Sequence, residues 1–268
     1  MPPADRAPRR APRVPPRRSP PGRAIALLLG SALAVLVAAF VKGAIGFGFP
    51  TLGTPLLALF LDVKTAVAVL VVPNLVMDGI QARRRGGLAA TVRRLRPLLL
   101  SGAAGTVLGT AALAELGAQT VTLALGGFVV LFVILNAMRV SPRVAPSWER
   151  WLSAPVGLVA GVVGGVTNVP SLPLILYFYA LGMEKDEFVR SIAVTFLAYK
   201  LVQLVSLVTV GLLDGRLFGA SLALTAVAVG AFALGLRVQD RLDARAFNRA
   251  VLVFLSAIGV WLVVRALR

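Results

Sequence analysis

The sequence predicts an all-α polytopic membrane protein, with about eight transmembrane helices in two repeated halves, each opening with a helix broken by glycine and proline. Three observations predict it. Hydrophobic residues make up 58% of the 268 residues and charged residues only 15%, which is more apolar and less charged than a soluble domain. Apolar runs of membrane-spanning length recur, the first being the uncharged stretch 24–41. A stretch rich in glycine and proline, GAIGFGFPTLGTPLL at 43–57, has a counterpart 118 residues later.

Residues 1–23 hold seven arginines and eight prolines with no apolar periodicity, and read as a disordered basic tail. The spans then fall at 24–62 (broken), 65–81, 97–114, 119–138, 152–182 (broken), 188–213, 217–236 and 246–266. Residues 24–62 are too many for one helix of about 20 residues, and 152–182 are too few for two. A helix plus an irregular or re-entrant segment fits both. The first repeat occupies 24–138, a cytosolic linker 139–151, and the second repeat 152–268. Four spans per half would make the halves parallel, whereas an odd number of crossings would invert them. The tail, loop 82–96, loop 139–151 and the C-terminus hold most of the lysine and arginine. This places both termini in the cytosol, with the Arg237–Arg249 loop as the discordant piece.

The net charge of +17 comes almost entirely from arginine at helix ends. No aromatic-interleaved basic face accompanies it, so topology rather than nucleic acid accounts for it. Cysteine and histidine are absent. Disulfides, thiolate nucleophiles, His/Cys metal sites and histidine acid–base chemistry are therefore excluded. No phosphate-binding Walker motif, no carboxylate pair and no nucleophile with a base is present, so neither a cofactor nor a catalytic residue is expected.

FVKGAIGFGFPTLGTPLLALF (40–60) lies over LVAGVVGGVTNVPSLPLILYF (158–178) without a gap. Gly43 falls on Gly161, Gly46 on Gly164, and Pro55 on Pro173. With about four more residues inserted, VAVLVVPNLVMDGIQ (67–81) lies over VRSIAVTFLAYKLVQ (189–203). The motif GFGF…PLL, its counterpart GVVGGVTNVPSLPLIL, and LGMEKDEFVRSIAVTFLAYKLVQL resemble the sulfite exporter permeases of the TauE/SafE type. The resemblance runs from about residue 24 to the C-terminus. Phe47 and Phe49 stand where the family has a tight glycine doublet. The resemblance implies a multi-pass transporter of the bacterial inner membrane, carrying sulfur-containing anions such as sulfite, sulfonates and sulfoacetate.

Broken backbone at membrane depth must line protein or a water-filled cavity, because lipid cannot satisfy a freed N–H or C=O. A break also starts a new helix, whose unpaired N–H groups attract anions. Gly46, Gly48, Pro50, Thr51, Thr54 and Pro55 in the first half are thus candidate substrate-binding residues. So are Gly164, Gly165, Thr167, Asn168, Pro170, Ser171 and Pro173 in the second. Pro55 and Pro173 are expected in the first turn of each new helix. Lys42 either supplies positive charge to an anion or snorkels to the surface. Lys200 lies near the centre of its span and is assigned to anion attraction or pairing. Asp78, on the equivalent turn of the first half, is the pairing candidate, unless it sits at the interface beside Arg83. Asn74 and Gln203 complete the polar intramembrane set. Gly157 with Gly161, Gly105 with Gly109, and Gly215 with Gly219 have the spacing of helix-packing pairs. The expected partners are a small anionic solute and the lipid bilayer, with oligomerisation left open. The rival reading is an accessory or scaffold subunit that carries no solute.

Overall fold

A computed structural model describes residues 21–84, 86–138 and 143–238, with Val260, Val264 and Leu267. The expected span 246–266 lies outside the described residues but for two positions, and so does the tail up to residue 20. Ten helices run through the described segments: α1 (Pro21–Ile45), α2 (Phe49–Leu57), α3 (Val63–Arg84), α4 (Leu88–Arg94), α5 (Arg96–Glu115), α6 (Ala118–Ala137), α7 (Pro146–Thr167), α8 (Ser171–Ala180), α9 (Lys185–Thr209) and α10 (Gly215–Val238). Seven of them are long and apolar enough to cross a membrane. The all-helical fold, with each half opening on a broken helix, is as the sequence predicts. The short helix α4, inside the basic loop 82–96, was not foreseen.

The breaks are sharp reversals. Gly46 and Gly48 adopt φ of 98° and 100°, a left-handed region that glycine enters without steric penalty. The chain turns there, and α2 runs back along α1. A Cβ on Gly53 would touch Ala38, and one on Gly30 would fall 2.7 Å from the Phe60 ring. Asn168 makes the second reversal at φ 68°, a region that asparagine enters more readily than most non-glycine residues. The foot of that hairpin is tied by Val144 N–H donating to the Ala180 carbonyl at 2.8 Å.

Each broken helix is therefore a hairpin that returns to the side it came from. In the first half this leaves the crossings α3, α5 and α6. Lys64 Nζ donates to the Ala114 carbonyl at 2.8 Å, joining the start of α3 to the end of α5. At the opposite face Arg94 of α4 grips Glu149 of α7 at 2.7 and 3.1 Å, and also bonds Glu187 of α9. With an odd number of crossings, the second hairpin enters from the opposite face. The halves are inverted, related by an axis in the membrane plane. This corrects the parallel arrangement expected from four crossings per half, an expectation that counted the hairpin as a crossing. It also corrects the side assignment: the start of α1 and loop 82–96 lie at opposite faces.

The halves exchange helices. Hairpin arm α1 packs on α10 of the other half, and α7 packs on α5. Both crossings are glycine contacts. A Cβ on Gly161 would fall 2.1 Å from the Gly102 carbonyl oxygen, and one on Gly235 would fall 2.2 Å from that of Phe40. Gly105, Gly109 and Gly157 are equally tight against backbone. Among the described residues, nothing lies within 4 Å of a Cβ added to Gly215 or Gly219, so no packing contact of that pair is seen there.

Helices α3 and α9 are the innermost spans. Pro73 inside α3 has no N–H to give the carbonyl four residues earlier. Ser221 of α10 fills the gap, its hydroxyl donating to the Val69 carbonyl at 2.7 Å. Inside a bilayer such a carbonyl has no water to turn to.

Candidate functional site

The tips of the two hairpins meet. Thr51, in the first turn of α2, lies 2.7 Å, hydroxyl to hydroxyl, from Ser171, which opens α8. Asn168 donates its side-chain N–H to Thr54 Oγ1 at 2.9 Å. Thr54, Thr167, Asn168 and Ser171 are fully buried, and Thr51 is 2% exposed. The first-turn N–H groups of a helix have no partner within the helix, so two positive helix ends are aimed at one enclosed place. Pro50 occupies the first turn of α2 and Pro173 that of α8, each removing an N–H that would otherwise be left over there. Pro55 lies well inside α2, so its expected place at the helix start is corrected. Pro170 precedes α8 and packs on Gly164. Thr167 donates to the Val163 carbonyl at 2.7 Å and accepts from Val169 N–H at 3.2 Å, which shapes the turn.

The two buried lysines have different surroundings. Lys42, at the end of α1, donates to Asp78 Oδ1 of α3 at 2.5 Å, with both side chains fully buried. Its ammonium also lies 5.7 Å from the centre of the Phe196 ring. Snorkelling of Lys42 and an interfacial Asp78 are thereby both overturned. Lys200 of α9 is 1% exposed. It donates to Asn168 Oδ1, to the Asn168 carbonyl at 3.3 Å and to Gln203 Oε1 at 2.5 Å. The hydrogen-bonded partner of Asp78 is Lys42 and not Lys200, which corrects the expected pair. The carboxylate goes to the lysine at the tip of its own half.

An equivalence between the halves appears one turn further on. Gln81 donates to the carbonyl of Gly46, and Gln203 donates to the carbonyls of Gly164 and Gly165 at 3.2 and 3.4 Å. In each half a glutamine of the third helix satisfies a carbonyl freed at the hairpin turn. Gln81 was missed as a site residue. The overlay of 67–81 on 189–203, which sets it over Gln203, was the signal that could have found it. Gly165 faces Thr106 and Gly109 of α5, so its missing side chain serves helix contact. Gly48 begins α2 in open space.

Along one face of α3, Asn74 Nδ2 and Oδ1, Asp78 Oδ2 and Gln81 Oε1 are buried without a hydrogen-bond partner among the described residues. Asn74 is fully buried. Inside a membrane such atoms are costly unless water or a ligand reaches them. Among the described residues no cluster of three or more acidic residues could hold a metal ion.

Inverted halves, helical hairpins whose buried tips meet, and buried charge beside them define a class of protein: polytopic membrane proteins built like solute transporters. The chain belongs to the sulfite exporter TauE/SafE family, whose model matches residues 31–262. That family's description, sulfite exporter, points to a membrane transporter of sulfur compounds. No curated protein and no solved structure matches the chain.

Proposed function

We propose that this protein is a secondary transporter that carries a small sulfur oxyanion between the tips of its two hairpins, by alternating access. One observation carries the reading: Thr51 and Ser171 join two helix N-termini at a buried point, beside Lys200, whose hydrogen-bond acceptors are all neutral oxygens. Two dipole ends and hydroxyls make a donor set for an anion, and the positive charge of Lys200 lies beside it. Because the halves are inverted, the same site can open to either face as one half rocks against the other. The site residues are enclosed, so the described conformation suits an occluded stage of that cycle. In a bacterial inner membrane, an inside-negative potential would favour outward movement of an anion by about 2.3 kcal/mol per charge per 100 mV.

The test is flux in proteoliposomes with sulfite and methanesulfonate as probes. Saturable uptake that disappears in Lys200→Gln is expected. Absence of flux for every sulfur oxyanion would favour the accessory-subunit reading instead.

A further inference from the structure

Resting on the transport reading above, we infer that the site selects a singly charged anion over a doubly charged one, and that Asp78 sets this valence. Among the described residues, the fully buried charged side chains are Lys42, Asp78 and Lys200. Lys42 and Asp78 neutralise each other at 2.5 Å. The surroundings of Lys200 suit its ammonium form. An ammonium has three donors and no acceptor, whereas a neutral amine has a lone pair that needs a donor. Around Lys200 Nζ stand three oxygen acceptors: the side-chain and main-chain oxygens of Asn168 and the side-chain oxygen of Gln203. The buried set therefore carries one positive charge in excess.

An uncompensated charge at membrane depth is costly, and proteins place a counter-charge beside it. Here none of the three acceptors on Lys200 is a carboxylate. The missing counter-ion is the cargo. One negative charge brings the enclosed site to neutrality. Two would leave a net negative charge among atoms already rich in unpartnered acceptors: Asp78 Oδ2, Gln81 Oε1 and Asn74 Oδ1. Asp78 and Lys200 fall at equivalent positions of the inverted halves, on helices α3 and α9 that pack together. Had the first half carried an uncharged residue there, the site would hold two excess positive charges and would suit a dianion. Asp78 is thus a specificity-determining residue that acts by cancelling Lys42.

The experiment compares methanesulfonate with sulfate, tetrahedral probes of similar size and different charge, in proteoliposomes of the full chain. The wild-type protein is expected to carry methanesulfonate at least about tenfold faster than sulfate. Asp78→Asn should shift the ratio of the two rates toward sulfate by about tenfold or more, and Asp78→Glu should restore the wild-type ratio. Equal wild-type rates would overturn the valence inference while leaving the transport reading standing. So would an unchanged ratio in Asp78→Asn. Should Asp78→Asn not fold, the wild-type ratio of the two rates decides the matter. No flux of either probe would overturn the transport reading, and this inference with it.

Discussion

Lys42 and Lys200 share a residue type and a depth, yet a substitution beside each should act differently. Removing Asp78 leaves the Lys42 ammonium buried without its partner. Asp78→Ala is expected to cost about 3–5 kcal/mol of stability. The double change Lys42→Met with Asp78→Leu should cost much less, because it removes both charges together. Thermal unfolding of the purified protein in detergent would measure both. If the double variant is no more stable than the single one, the ion pair is not what makes Asp78→Ala harmful. Ser221 offers a second test. Ser221→Ala orphans the Val69 carbonyl that Pro73 has already deprived of its helical donor. A loss of about 1–3 kcal/mol is expected. A change of Pro73 to Ala in the same background should recover most of it, since the restored N–H replaces the lost hydroxyl. Among the site residues, Lys42, Lys200, Asn168 and Gln203 were legible as polar groups in apolar spans. Which lysine took the carboxylate was not, because sequence spacing fixes the depth of a side chain but not the neighbour it meets.

At the level of elements, the two crossings, α5 with α7 and α1 with α10, depend on glycines that bring backbone onto backbone. In a bilayer no hydrophobic effect drives such helices together, so close packing must do it. Gly161→Ala should cost about 1–3 kcal/mol or more, because the new methyl meets the carbonyl of Gly102, which has little room to move. Gly219→Ala meets no atom of the described residues and should be neutral to within about 0.5 kcal/mol. Comparison of the two melting curves checks the assignment. Sequence spacing alone gave Gly105 with Gly109 the same status as Gly215 with Gly219, since both read as small residues one turn apart. Only the presence of a facing helix separates them. The hairpin turns were more legible. Glycines at 46 and 48 and asparagine at 168, next to prolines, can scarcely continue a helix. One turn in the first half was misplaced, because Pro55 is tolerated inside α2.

For the whole molecule, the inverted arrangement makes a prediction about sides. The chain has no cysteine, so single cysteines can be introduced without any background. Leu88→Cys and Glu184→Cys should be labelled by an impermeant thiol reagent from one side of the membrane, and Gly117→Cys from the other. Labelling of all three from one side would refute the crossing pattern of α3, α5 and α6. The family match over residues 31–262 bears on class and cargo, and this experiment bears on architecture independently of it.

The sequence by itself determined the membrane class, the two halves, and the places where each first helix breaks. These follow from local chemistry: apolar length, the repetition of a pattern, and residues that cannot hold helical dihedrals or donate an N–H. The tertiary structure decided that the breaks are hairpins, that the halves are inverted, that Asp78 pairs with Lys42, and that Lys200 bonds neutral oxygens instead. Those pairings and orientations depend on which surfaces face each other once the halves interlock. A linear pattern reports the depth and face of a residue. It does not report the direction in which the chain leaves a turn, and here that direction sets both the topology and which buried groups meet.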